Sequence, residues 1–276
     1  MIDRFWFGAA PLAALLIAAG AGCAEKQSRT ALLDYTQSAE DLYAEAMEEF
    51  DAEDCVDAEK LFQQVRRDFP YSSYAPLAEL HIADCAFIQD NHAEAAVAYK
   101  QFIKAFPTHE QAHYAAFKRS ESYYEMIPGD WIITPPPHER DQAATRDARS
   151  ALRHFLRTYP RSEYMERAEE LLAEVENALV RHEMYVAEFY LKRDEKNAAA
   201  VRLEVVREKF PDAGLVPDAM FLQGRTYLEM NRIEEARRVF EDIMEFYPEH
   251  HQALRARDYL EHLEDKHPSQ SRGKDG

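Results

Sequence analysis

"RDFPYSSYA", residues 67–75, places an aromatic residue directly before a proline. The same pairing recurs at Phe106-Pro107, Tyr159-Pro160, Phe210-Pro211 and Tyr247-Pro248. Proline lacks a backbone N–H and its ring crowds the preceding residue out of helical geometry, so each pair marks a helix end. Five such stops in one chain point to an internal repeat.

Residues counted back from each proline bear this out. At offset −12 stand Ala58, Ala95, Ala148, Ala199 and Ala236. At −8 stand Phe62, Tyr99, Leu152, Leu203 and Phe240, and at −5 Val65, Phe102, Phe155, Val206 and Ile243. These offsets trace one stripe of a helix with a 3.6-residue period. The alanine marks a close approach of two helix backbones, and the larger residues fill the layer between them. This is the second-helix signature of a tetratricopeptide repeat, A-x3-F followed by P. The last copy also carries a first-helix half, Gly224-x2-Tyr227, and the fourth has Ala187-x2-Tyr190 in the same place. The expected fold is all-α: a tetratricopeptide-repeat superhelix of five helix-pair repeats. A coiled coil is excluded because the prolines forbid long continuous helices.

The prolines are spaced 37, 53, 51 and 37 residues apart. The first excess is "MIPGDWIITPPPHERDQ", residues 126–142, which reads as a long loop with an exposed Trp131-Ile132-Ile133. The second falls in residues 161–193, which contain no breaker. The extra length there is close to four turns, so the first helix of the fourth repeat is expected to be extended.

The chain has 276 residues and a formal net charge of −18. A polyanion repels phosphate backbones, which argues against nucleic acid as a partner. It also repels an anionic membrane surface, so a membrane location requires an anchor. Residues 1–22 read as a signal peptide, with Arg4, a short apolar run from Ala9 to Ala21 and small residues before Cys23. Gly20-Ala21-Gly22-Cys23 resembles a bacterial lipobox, which makes Cys23 the lipidated residue. Residues 23–35 then form a lipid-anchored tether, 36–142 the amino-terminal repeats with the insertion loop, 143–263 the carboxy-terminal repeats, and 264–276 a disordered tail. Export implies an oxidising compartment, and the remaining Cys55 and Cys85 permit one disulfide. By repeat offset they fall at similar heights on antiparallel neighbouring helices.

"HEQAH", residues 109–113, matches the H-E-x-x-H zinc motif. A zinc hydrolase needs it within a helix, with a third ligand such as Glu121 or His138. His109 instead falls two residues after Pro107, at a turn, so neither metal nor catalytic residues are assigned. Stacked helix pairs bind partners in a groove lined by the first helix of each pair. The offsets put Tyr43, Met47, Phe50, Leu80, Asp84, Phe87, Phe117, Glu121 and Tyr124 near that groove, in surroundings suited to a peptide. Some of these residues can instead pack between repeats.

Four stretches go beyond a generic repeat: "DFPYSSYAPLAELHIADCAF", "FIKAFPTHEQAHYAAFKR", "ERDQAATRDARSALRHFLRTYPRSEY" and "HEMYVAEFYLKRDEKNAAAVRLEVVREKFPD". Over roughly residues 36 to 250 the chain resembles the BamD family, lipoprotein subunits of the machinery that assembles β-barrels in Gram-negative outer membranes. The resemblance implies a non-enzymatic scaffold without cofactors, anchored by lipid to the periplasmic face of the outer membrane. It implies carboxy-terminal repeats that dock on a BamA-like β-barrel subunit and amino-terminal repeats that receive unfolded outer-membrane proteins. Contacts with accessory lipoproteins are a further implication of the resemblance. The family's functional arginine in the second helix of the fourth repeat maps to Arg202. Ala24, in place of an aspartate after the lipidated cysteine, fits outer-membrane sorting in that family. Another periplasmic repeat lipoprotein, serving cell-wall or division machinery, is the alternative, and a zinc hydrolase using the HEQAH stretch is a remote one.

Overall fold

The protein is described by a computed structural model over residues 21–129 and 135–266, with side chains over 32–129 and 135–265. Residues 1–20, Trp131, Ile132, Ile133 and residues 267–276 lie outside the described residues, while the first three residues of the expected 264–276 tail are helical and end α11.

Among the described residues the regular elements are eleven α-helices and one 3-10 turn. In chain order they are α1 (Ala21–Asp51), α2 (Cys55–Asp68), α3 (Tyr74–Ile88), α4 (His92–Ala105), α5 (Ala112–Glu125), α6 (Ala143–Thr158), α7 (Met165–Lys192), α8 (Lys196–Lys209), α9 (Val216–Glu229), α10 (Ile233–Phe246) and α11 (His251–Lys266). The 3-10 turn, Pro137–Glu139, lies in the loop between α5 and α6. The five aromatic-proline pairs follow α2, α4, α6, α8 and α10, so each closes the second helix of a pair. The backbone is helical from Ala21, so the segment expected to be a tether, 23–35, begins α1. The fourth pair has the extended first helix: α7 runs 28 residues against 14 for α5 and α9.

The aromatic residue before each proline caps its helix in one repeated conformation. Phe69, Phe106, Tyr159, Phe210 and Tyr247 have φ between −133 and −123 and ψ between 47 and 59. Each still donates its N–H to the carbonyl at offset −5, the last helical bond before proline removes the next donor. Two residues after the proline, Ser72, His109, Ser162, Ala213 and His250 each donate a backbone N–H to that aromatic's carbonyl. Thus one orphan carbonyl of each helix end, that of the aromatic cap, is satisfied by the turn into the next pair.

The turn inside a pair is equally regular. Glu53, Asp90, Asp194 and Asn231, each 17 residues before its proline, have φ of 61, 60, 61 and 56. Each donates to the carbonyl three residues back, and the following residue donates to the carbonyl five residues before itself. This is a Schellman closure with an acidic or amide residue where glycine is usual. In the third repeat the insertion loop replaces that turn. Asp54 then accepts the N–H of Asp57 and caps the start of α2.

The chain divides into two compact units, Met1–Cys85 and Ala86–Gly276. In the first, Ala58, Phe62 and Val65 of α2 pack with Ala46 of α1 and with Ala78 and Cys85 of α3. In the second, α5 to α11 share one core against which Ile103 of α4 packs, and every residue at offsets −12, −8 and −5 is fully buried, as are their counterparts in α2. Burying a residue of leucine or phenylalanine size contributes about 1.5–3 kcal/mol each, which makes this stripe the main stabilising feature of each pair. Gly224 of α9 lies against Phe240 of α10, where a Cβ would come within 2.6 Å of the ring. An eleventh helix, absent from the five-pair expectation, covers the last pair. Its Ala253, Ala256 and Leu263 are buried, and Tyr259 packs 5.5 Å from Phe221 and 5.2 Å from Phe240 between ring centroids.

Candidate functional site

Part of the expected groove comes together in the first unit. Tyr43 of α1 lies 5.1 Å from Tyr74 and 5.7 Å from Phe62 between ring centroids, and Phe50 lies 6.1 Å from Phe62. At the centre sits His81 of α3, which the sequence reading missed. Its ring stacks on Phe62 at 5.3 Å and lies 5.1 Å from Phe50 and 6.0 Å from Tyr43. Its Nδ1 is 3.0 Å from Oδ2 of buried Asp84. The i,i+3 spacing of His81 and Asp84 was the available signal. Burial first, then the nearby Asp84, pushes the Tyr43 hydroxyl up to about 12. Met47 packs partly buried beside the same cluster, and Leu80 is a buried residue that offers no surface to a ligand.

The second unit holds the other candidates. Phe87 lies under Lys118, whose Nζ is 3.4 Å from the ring centroid and 2.6 Å from Glu121. Phe117 is a core residue rather than a groove residue, stacked on Tyr164 at 4.8 Å and packed on Phe155 at 5.7 Å. The misassignment has a physical reason: a first helix packed against neighbours on two sides is apolar over more than one face. Tyr124 donates its hydroxyl to Glu174 of α7, and that bond, followed by burial, raises its pKa to about 12.

Tyr124 also lines a cavity of about 680 Å³ with Ile127, Pro136, His138, Glu174 and Arg181. The insertion loop is tied down beside it. His182 of α7 donates Nδ1–H to the His138 carbonyl at 2.7 Å, and Gln142 donates to the carbonyls of Pro137 and Arg140.

Arg202 lies on the outer face of α8, its side chain 45% exposed, with Nη1 3.4 Å from Oε2 of Glu183. Exposed Val201 adjoins it. Elsewhere α7 is firmly held. Glu176 is buried and accepts from Arg149 at 2.8 Å and Arg153 at 3.0 Å, and Asn177 accepts the Leu215 N–H at 3.0 Å.

The histidines have structural duties. Nδ1 of His109 accepts the Gln111 N–H at 3.1 Å, and α5 begins only at Ala112, so the HEQAH stretch is a turn leading into a helix. His113 is bonded instead to Ser162 Oγ at 3.0 Å. His250 repeats the His109 arrangement, accepting the Gln252 N–H at 3.3 Å. Donor atoms of His250, His251 and Asp218 lie within 4.8 Å of one another. Because Nδ1 of His250 accepts, its proton is on Nε2, which faces Asp218 at 3.6 Å. A metal there would need that nitrogen's lone pair, so the cluster reads as the start of α11.

Cys55 and Cys85 are free thiols, both buried in the first unit, with Cys55 within hydrogen-bonding reach of Cys85. Cys23 lies in α1 with its side chain outside the described residues. No helix among the described residues is long and apolar enough to cross a membrane.

The family model and the curated relatives agree. The family described as "YfiO: Outer membrane lipoprotein" matches residues 35–243. "Outer membrane protein assembly factor BamD" of Caulobacter vibrioides is 31% identical over 231 residues, which cover 83% of this chain and 73% of that protein. The protein of the same name from Neisseria gonorrhoeae is 27% identical over 239 residues, 83% of this chain and 86% of that protein. Among solved structures, a tetratricopeptide repeat protein from Parabacteroides merdae covers 82% of this chain and 98% of its own, at 15% identity and a TM-score of 0.27. From the match over most of its length and the identity to the Caulobacter protein, this chain belongs to the YfiO/BamD family of outer membrane lipoproteins.

Proposed function

We propose that this chain is a non-enzymatic scaffold in the assembly of outer-membrane β-barrel proteins, held by a lipid on Cys23 at the periplasmic face of the outer membrane. The observation that supports this most is family membership across residues 35–243, with relatives named as assembly factors. The anchor is assigned to Cys23 because small residues precede it after a short apolar run.

Docking on a BamA-like subunit is assigned to the face around Arg202. Its contact with Glu183 engages one of five N–H donors, which leaves the planar fork able to clasp a partner's carboxylate. Exposed Val201 beside it offers apolar area to the same contact. Unfolded clients are assigned to the aromatic surface of Tyr43, Met47 and Phe50 in the first unit, and to Phe87, Glu121 and Tyr124 in the second. An extended segment can lay apolar side chains on such rings while its polar groups meet the acidic side chains beside them.

Affinity capture of the full chain from detergent-solubilised envelopes tests the proposal. It should recover a large β-barrel protein with periplasmic repeats, and mass spectrometry of the bait should find a diacylglyceryl group on Cys23. Recovery of cell-wall or division proteins in its place, or an unmodified Cys23, would count against it.

A further inference from the structure

We infer that Cys55 and Cys85 are a disulfide-forming pair, closed as the chain folds, that staples the start of α2 to α3 within the first compact unit. Cys55 is the first residue of α2 and Cys85 stands in the later half of α3. The two belong to one apolar cluster with Ala46, Ala58, Phe62, Val65 and Ala78, and their sulfurs are in reach of each other. A buried thiol alone behaves as a small apolar residue. Two that meet side by side, in a chain whose only other cysteine is Cys23, satisfy the first requirement of a bridge. The setting rests on the proposed export of this lipoprotein to an oxidising compartment.

The chemistry is thiol–disulfide exchange with a disulfide-bearing oxidant, either a small-molecule disulfide or an oxidising protein. The Cys55 thiolate attacks one sulfur of that disulfide and releases the other as a thiol. The Cys85 thiolate then attacks the Cys55 sulfur and displaces the second thiol. Two protons and two electrons pass from the cysteines to the oxidant, which ends as two thiols. In the unfolded chain either cysteine can take the first role; once folded, Cys55 is 4% exposed and Cys85 fully covered.

Folding order decides when this happens. Burial, reinforced by the neighbouring Cys55, drives the Cys85 thiol far above its usual range. Its reactive thiolate is therefore scarce once the core has closed. The pair is a structural staple set during folding, and a reduced folded molecule is slow to oxidise. Closing the loop between residues 55 and 85 restricts the unfolded chain, so the first unit gains stability.

The full chain, purified in detergent and reduced, is unfolded in denaturant and refolded with a mixture of reduced and oxidised glutathione. We expect a monomer lighter by two hydrogens, with no maleimide-reactive thiol at Cys55 or Cys85 after denaturation, whose unfolding midpoint drops by several degrees on reduction. A Cys55→Ala/Cys85→Ala variant should show no such drop. The folded reduced chain given the same mixture should oxidise at least about tenfold more slowly. Refolded chain that keeps both thiols, or carries glutathione adducts or intermolecular bonds there, overturns the pair. Equal rates in the folded and refolding chain overturn the timing. A bond that closes in vitro but is missing from protein taken from cell envelopes supports the pair and counts against export.

Discussion

A Cβ added to Gly224 would come within 2.6 Å of Cε1 and 2.7 Å of Cζ of Phe240. Phe240 is fully buried and is hemmed by Phe221 and Tyr259, so its ring has little room to retreat. Alanine gains up to about 1 kcal/mol of helix propensity over glycine, while overpacking a closed core costs about 1–3 kcal/mol. Overpacking should win, and Gly224→Ala should lower stability by about 1–2 kcal/mol in denaturant titration. An unchanged or raised midpoint would mean that α9 and α10 are not this close.

Glu53 occupies left-handed backbone at φ 61 in the turn between α1 and α2. A side chain there costs roughly 1–2 kcal/mol that glycine avoids, part of which returns as glycine's greater freedom in the unfolded chain. Glu53→Gly should therefore stabilise the protein by about 0.5–1 kcal/mol. Asn231→Gly, at φ 56, should gain less because asparagine tolerates this region better. Thermal unfolding of the two variants gives the comparison, and a loss of stability in Glu53→Gly would contradict the turn geometry.

Tyr43 and Tyr124 both have hydroxyls raised to about 12, the first mainly by burial and the second mainly by its bond to Glu174. A raised pKa means that the unfolded chain ionises first. The stability linked to the neutral hydroxyls is complete below pH about 10 and is lost as the pH rises towards about 12. The folded protein should show tyrosines that ionise late by ultraviolet absorbance. A Tyr43→Phe/Tyr124→Phe variant should lose stability less steeply with pH in that window, and an unchanged slope would exclude these two hydroxyls as its source.

Arg202→Glu sets a carboxylate facing Glu183 on an exposed helix face, so its effect on folding should be small. If the guanidinium clasps a carboxylate of a BamA-like partner, the reversal should weaken that complex by about 2–5 kcal/mol, with Arg202→Ala intermediate. Calorimetry of binding and thermal unfolding on the same variants separates the two roles. Normal affinity in a folded Arg202→Glu chain would remove Arg202 from the interface.

The repeat was legible because close helix packing dictates volume at fixed offsets. Ala58 and Phe62 have counterparts of the same class in every copy, and all are buried. The turns within each pair were not legible, because Glu53, Asp90, Asp194 and Asn231 fill positions where glycine would have announced the left-handed backbone. The helix α11 is followed by His267-Pro268 and not by a Phe-Pro or Tyr-Pro pair, so it fell outside a count based on those pairs. Tyr43, Phe50 and Asp84 do converge, but around His81, whose polar ring gave no reason to place it among aromatics. Leu80 and Phe117 shared the offsets of groove residues yet are buried, since spacing alone does not distinguish the two apolar faces of a first helix. The meeting of Cys55 and Cys85 followed from antiparallel neighbours, which the offsets do define.

The most direct test of the central claim is the amount of folded β-barrel protein in the outer membrane after this chain is depleted from its own cells, read by heat-modifiable gel mobility. The account predicts that folded barrels fall as the chain is lost, that unfolded precursors accumulate in the periplasm, and that the wild-type chain restores both while Arg202→Glu does not. Undiminished folded barrels in depleted cells would contradict it.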